Sequence, residues 1–169
     1  MLARDEVLVR AARIRLAVFD CDGVFTDGRL LIGDDGTETK AFHVHDGHGI
    51  RRLRESGIEV AVISGRASAA VRRRMEELGV VHLVELAKDK VDALRAVQRA
   101  VGVDDEATAC VGDDLPDLEL LGVAGLAIAV ANAVPALDAF VHWRTAARGG
   151  NGAVREVCDL LLDARGARG

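Results

Sequence analysis

Apolar residues fall along this chain in short solid runs, separated by stripes of helical period. The runs Leu16–Phe19, Glu59–Ile63, Val80–Val84, Ala107–Val111, Leu126–Val130 and Ala139–His142 have the length and bounds of strands, the first of them buried on both faces. Between them the spacing lengthens and predicts helices at Ile50–Ser56, closed by Gly57, and at Ser68–Leu78, with Ser68 as N-cap and Gly79 just past the end. A third runs from Lys88 to about Val101, with Val91, Leu94, Val97 and Val101 on one stripe. Pro116–Leu121, a short turn near Pro135 and Ala153–Leu162 complete the helical set, while Met1–Arg13 reads as a short helix or a frayed lead-in. Strand and helix alternate, which predicts an α/β fold with a doubly wound, Rossmann-like parallel sheet. Two β-prone runs around Gly33–Gly36 predict an inserted hairpin over residues 28–43. Asp46-Gly47-His48-Gly49 reads as a break in the chain, and Gly149-Gly150-Asn151-Gly152 as a flexible tether. With no repeat, low-complexity stretch or linker, one domain is expected over residues 1–169.

Composition narrows the picture. Half of the 169 residues are apolar, yet only 3% are aromatic and none is tyrosine, so the core is Val, Leu, Ile and Ala. A net charge of −5 argues against a phosphate-backbone binder, and no nucleic-acid partner is expected; Arg72–Arg74 reads as a solvated helix face. Cys21, Cys110 and Cys158 are odd in number and lack metal-ligand spacing, as reduced thiols of a cytoplasmic protein would be. The first residues hold no apolar leader and nothing approaches a membrane span, so no membrane partner is expected.

The chemistry sits where strands stop. Asp20 and Asp22 follow the first run, with Gly23 to turn the backbone; Ser64, Gly65 and Arg66 follow the second; Asp113 and Asp114 follow Ala107–Val111. In a parallel sheet these ends share one edge, so the clusters should converge, with Lys88 and Lys90 opening a helix beside them. Several carboxylates in one cleft suit a hard divalent cation, Mg²⁺ first, and a lysine and hydroxyl beside it suit a phosphoryl group. His43, His45 and His48 lack the further ligands a zinc site needs, and Cys21 lacks a base partner and reads as packing. Trp143 reads as a packing or subunit-contact residue.

The chain resembles the haloacid-dehalogenase-type hydrolases. Asp20-Cys21-Asp22-Gly23-Val24-Phe25-Thr26 is similar to their DxDGxxT signature, with Ser64, Lys90 and Gly112-Asp113-Asp114 answering to the later motifs in order. Thr26-Asp27-Gly28, Lys40-Ala41-Phe42, Asp46–Arg51, Ile63–Arg66 and Gly149–Glu156 resemble the hallmarks of its capless sugar-acid phosphatase branch, nearest to the octulosonate 8-phosphate phosphatases. The resemblance implies a Rossmann-like core with the inserted hairpin and no large cap domain. It implies Asp20 as nucleophile, Asp22 as general acid and base, and Mg²⁺ held by Asp20, the Asp22 carbonyl and Asp113 with Asp114 behind them. Ser64, Gly65 and Lys90 would bind phosphate, the family spacing favouring Lys90 over Lys88. Asp117 would support the acidic loop or serve as a charge at a helix N-terminus. Thr26, Asp46, His48, Arg66 and Arg155 would meet the sugar acid, Arg66 at its carboxylate. Members of this branch form homotetramers in which hairpins pack together and a neighbour's Gly-rich C-terminal segment (149–169 here) closes the site. Ser64 stands where threonine is more usual, Leu86 where glycine is, and His45, His48 and Asn151 also depart from the pattern. These departures bear on substrate identity. The alternatives are a nonulosonate 9-phosphate phosphatase and a non-catalytic domain partnering a cytidylyltransferase.

Overall fold

A computed structural model describes residues 1–166. Its centre is β1 (Leu16–Phe19), whose four residues are all buried, as a strand covered on both faces requires. β1 is followed by the hairpin β2 (Leu31–Ile32) and β3 (Glu38–Thr39), then by β4 (Glu59–Ile63), β5 (His82–Val84), β6 (Thr108–Gly112), β7 (Leu126–Ala129) and β8 (Trp143–Arg144). Apart from the hairpin, the strands make one six-stranded parallel sheet in the order β5-β4-β1-β6-β7-β8.

The helices are α1 (Arg4–Ala11), α2 (Val44–Glu55), α3 (Ala69–Glu77), α4 (Lys90–Val101), α5 (Leu118–Val123) and α6 (Ala153–Ala164). From β1 the chain steps outward to β4 and β5 through α2 and α3. It then crosses back to β6 and β7 through α4 and α5. Right-handed crossovers in opposite directions put the two helix pairs on opposite faces, and the reversal of direction at β1 opens a crevice at the carboxyl ends. Register does the rest: Phe19 is level with Val62 on one side and Val111 on the other, so Asp20, Ser64 and Asp113 emerge together.

The sequence pattern places most elements within two or three residues, with two corrections. The last strand is Trp143–Arg144 rather than Ala139–His142, because Pro135–Ala139 closes a 3₁₀ turn that consumes the start of that run. Asp46-Gly47-His48-Gly49 does not break the chain; it lies within the first two turns of α2, which His43 caps, its Nδ1 accepting from the His45 N–H. The glycines serve packing. A Cβ on Gly47 would lie 2.2 Å from the Arg74 guanidinium, and one on Gly49 about 3 Å from Arg155 and Cys158 of α6. Helix propensity is given up there so that α2 and α6 can approach closely.

Candidate active site

The loop after β1 is built around its own backbone. The Asp20 N–H extends the ladder one step to the Val111 carbonyl at 2.9 Å, which fixes Asp20 at the strand end, nearly buried. The Cys21 carbonyl accepts from the N–H groups of Val24, Phe25 and Thr26, winding a single tight turn. Phe25 packs edge-to-face on Phe19 with ring centroids 5.5 Å apart, and the Thr26 hydroxyl accepts from Gly23 and Gly28 N–H at 3.3 Å each. Gly23 has φ of +93°, and a Cβ there would sit 2.0 Å from Asp113 Oδ2. A side chain at position 23 would therefore be strained and would displace the Asp113 carboxylate. Cys21 is fully buried, and burial, then the charges of Asp22 and Asp20, push its thiol up to about 12, so it packs and does not attack.

One ammonium sits among the carboxylates. Asp89 caps α4 by accepting from the N–H groups of Val91 and Asp92, which makes Lys90 the first helical residue and aims it inward. Its Nζ lies 2.6 Å from Asp20 Oδ1 and 2.7 Å from Asp117 Oδ1, all three groups being almost buried. Lys88 is exposed outside the helix. Asp117 also accepts the Asp113 N–H at 3.0 Å through its other oxygen, and a Cβ on Gly112 would collide with it. Asp20, Asp113 and Asp117 offer oxygens that all lie within 4.8 Å of one another. Burial, then Asp117, raises the Asp20 carboxyl to about 6 against the opposing pull of Lys90. Burial, then Asp20, Asp117 and Asp114, raises Asp113 to about 7. Burial alone would lower Lys90, but Asp20 and Asp117 outweigh it and hold the ammonium above its ordinary value. Three carboxylates share one lysine, and the uncompensated charge together with an all-oxygen donor set fits a divalent cation such as Mg²⁺.

Opposite, β4 ends in Ser64, whose N–H donates to the Val84 carbonyl and whose buried hydroxyl accepts from the Arg66 N–H at 3.2 Å. Gly65 is exposed, and a Cβ there would meet nothing. The turn is held from beyond β5 by the Ala87 N–H on the Ser64 carbonyl. Leu86, just before it, has a left-handed φ of 55°, which suits the glycine usual in the resembling proteins and costs a leucine about 1 kcal/mol. Asp20, Asp22, Ser64, Gly65, Arg66, Lys90 and Asp113 thus border one pocket of about 340 Å³.

The hairpin places two charges, which the sequence reading did not assign to the site, against the lining residues Asp22 and Arg66. Glu38 and Lys40 are two residues apart and so share a face of the strand. Lys40 has no exposed side-chain surface; its Nζ bonds Asp22 Oδ1 and lies 3.5 Å from Glu38 Oε1. Arg66 lies between them, with Nη2 2.7 Å from Glu38 Oε2 and Nε 3.5 Å from Asp22 Oδ2. The detectable signal was the charged pair Glu38/Lys40 inside a β-prone run. Asp117 was legible as an acid three residues past Asp114, but its place in the carboxylate trio depends on the 3₁₀ turn Leu115–Asp117.

Other expected site residues stand elsewhere. Thr26 is buried inside the loop it staples. Asp46 is buried on α2, where Oδ1 accepts the Arg155 N–H at 2.8 Å and so caps the start of α6. Burial pushes the Asp46 carboxyl up, and that N–H opposes the shift. The Arg155 side chain pairs with Asp159 along its own helix, and His48 is exposed on α2. None of these four lines the pocket. The segment 149–152, expected to be a tether, is docked instead. Gly150 donates to the Val24 carbonyl, Gly149 donates to Asn132 Oδ1 at 2.6 Å, and Asn132 in turn donates to the Gly23 carbonyl. A Cβ on Gly149 would fall 1.7 Å from that carbonyl, so the glycines are there for close approach.

Residues 80–156 match the family profile described as haloacid dehalogenase-like hydrolase. The chain is 45% identical to the 3-deoxy-D-manno-octulosonate 8-phosphate phosphatase KdsC of Yersinia pestis, over 94% of this chain and 84% of that one. The crystal structure of the Yersinia pestis phosphatase superposes with a TM-score of 0.95 at 44% identity, covering 96% of this chain and 88% of the other. The same phosphatase from Moraxella catarrhalis, solved with a magnesium ion, a phosphate ion and a KDO molecule, gives a TM-score of 0.93 at 43% identity, covering 96% and 93%.

Proposed function

Because the chain belongs to the haloacid dehalogenase-like hydrolases and is a phosphatase, we propose that it hydrolyses the phosphomonoester of a sugar acid, 3-deoxy-D-manno-octulosonate 8-phosphate, with Mg²⁺ bound. The observation that carries the reading is Asp20, fixed at the end of β1 between Lys90 and the carboxylates of Asp113 and Asp117, at the floor of a pocket whose wall is Arg66.

Asp20 attacks phosphorus through a carboxylate oxygen, the bond to the sugar oxygen breaks, and that oxygen takes a proton from Asp22. Water then gives a proton to Asp22 and attacks the aspartyl-phosphate, freeing phosphate and restoring Asp20. Lys90 and the Ser64–Gly65 turn meet the phosphate oxygens, and Arg66 pairs with the sugar carboxylate. Asp20, Asp113, Asp117 and the Asp22 carbonyl would hold the metal, which supplies positive charge between an anionic nucleophile and an anionic ester. We further propose that the whole chain acts as one unit within a homotetramer. Support comes from Leu30, Leu31 and Ile32, which are apolar and exposed on the hairpin. No helix of the described residues is long and apolar enough to cross a membrane.

The test is phosphate release from octulosonate 8-phosphate, nonulosonate 9-phosphates and simple sugar phosphates, with Mg²⁺ and with chelator. Metal-dependent preference for the octulosonate is expected. Preference for a nonulosonate, for which no feature of the pocket speaks, would move the specificity and keep the chemistry.

A pH signature follows from the carboxylates. Asp20 and Asp113 titrate higher folded than unfolded, so they favour the folded state fully below about pH 4, and that stability is lost as pH rises through about 6 to 7. A divalent cation relieves the same repulsion. The gap in Tm between Mg²⁺-loaded and chelated protein should therefore widen from pH 5.5 to pH 8, read by scanning calorimetry; a pH-independent gap would contradict metal binding at these groups.

A further inference from the structure

Arg66 reaches the pocket already engaged. Its Nη2, the nitrogen common to both bidentate faces of a guanidinium, is 2.7 Å from Glu38 Oε2, and Nε is a looser 3.5 Å from Asp22 Oδ2. The partner that holds it tightly is a carboxylate from the hairpin, a segment whose apolar side chains Leu30, Leu31 and Ile32 are exposed. Around this point two cations, Lys40 and Arg66, balance two anions, Asp22 and Glu38. A carboxylate arriving with the substrate meets a guanidinium already engaged, and it gains a bidentate pair by taking over the bond that Arg66 makes to Glu38.

We propose that Glu38 is a resident stand-in for the substrate's carboxylate, holding the Arg66 guanidinium until a carboxylated ligand exchanges for it, which makes Glu38 a specificity-determining residue. The inference rests on the sugar-acid reading of the site. Three features make the exchange feasible. The Arg66 side chain is half exposed and borders the pocket, so an incoming group reaches it without unfolding anything. Glu38 is not orphaned on release, because its Oε1 lies 3.5 Å from the buried Lys40 ammonium. Arg66 at 2.7 Å and Lys40 at 3.5 Å flank the Glu38 carboxylate with two cations, so it competes as an anion. A partly exposed pair of this kind is worth no more than about fivefold in an equilibrium, a barrier a substrate carboxylate overcomes while a neutral hydroxyl does not.

The experiment compares the full chain with Glu38→Gln and Glu38→Asp, the first isosteric and uncharged, the second charged but too short to reach Arg66. Two readouts are taken: inhibition by free 3-deoxy-D-manno-octulosonate, and the ratio of kcat/KM between its 8-phosphate and a pentose 5-phosphate lacking a carboxylate. Removing the internal competitor should tighten the free sugar acid about fivefold and shift the ratio by a similar factor toward the carboxylated ester, in both variants. Equal changes on both esters, no change, or weaker binding of the sugar acid would make Glu38 merely a hairpin-docking residue and overturn the proposal. Arg66→Ala separates the underlying reading. If it affects both esters alike, the sugar-acid assignment itself fails; if it discriminates while the Glu38 variants do not, only the exchange fails.

Discussion

Asp20→Asn is expected to lower kcat by about 10⁴-fold or more, the scale on which single removals of a covalent nucleophile act. The substitution keeps the shape at the end of β1, where the Asp20 backbone N–H continues the ladder to Val111. It removes one of three carboxylates crowded around a single ammonium, so the fold should not suffer. Lys90 retains Asp117 at 2.7 Å, and Asp113 loses the neighbour that raises its carboxyl most after burial itself. Metal-free Asp20→Asn should therefore melt no lower than the parent chain, and its margin over the parent should be larger at pH 8 than at pH 5.5. Single-turnover chemistry with Mg²⁺ checks the first half and calorimetry in chelator the second. Residual turnover above about 1% would end the assignment of Asp20 as nucleophile, given the size of the loss expected.

The opposite imbalance follows from Lys90→Met. That change strands Asp20 and Asp117, two nearly buried carboxylates, without the ammonium that bonds both. Breaking a buried pair by deleting one partner costs about 3–5 kcal/mol, which for a chain of this size is a fall in Tm of about 10 °C in chelator. The loss should be larger at pH 8, above the raised Asp20 carboxyl, than at pH 5.5, and Mg²⁺ should recover part of it. On the proposed role of Lys90 as a phosphate ligand, activity should fall about 10²–10³-fold even with metal. A metal-free variant as stable as the parent would show that Lys90 does not neutralise the trio.

The two substitutions expose the logic of the site. It is tuned to be short of positive charge, and its residues are fixed through backbone groups: Asp20 by its N–H in the ladder, Lys90 by the capped start of α4, Asp117 by the Asp113 N–H, Ser64 by its N–H on the Val84 carbonyl. Rigid strand ends and helix starts give this precision at little entropic cost.

Much of this was legible before any coordinate. Short apolar runs that stop at Asp20, Ser64 and Asp113 encode parallel strands with polar ends, and the Rossmann-like parallel sheet forces those ends together. Lys90 over Lys88 followed from the spacing of a family motif, and the Asp89 cap supplies the physical reason. Less visible was the role of glycine. Gly47 and Gly49 signal a break when read locally, because propensity is a local quantity; Gly49 lets α2 meet α6, and Gly47 leaves room for the Arg74 guanidinium. The glycines at 149 and 150 read as slack for the same reason, although they press against the loop that carries Asp22.

The sequence by itself determined the strand order's raw material, the buried β1 and the acids, hydroxyl and lysine at the carboxyl edge, since hydrophobic period and strand-end polarity are properties of consecutive residues. Only the tertiary structure decided which charges face one another across elements. Lys40 on Asp22, Glu38 on Arg66, Asp46 on the start of α6 and Asp117 beside Asp20 join residues 18, 28, 109 and 97 positions apart. Electrostatic pairing acts through space over a few ångströms, and sequence separation carries no trace of it until the fold has closed.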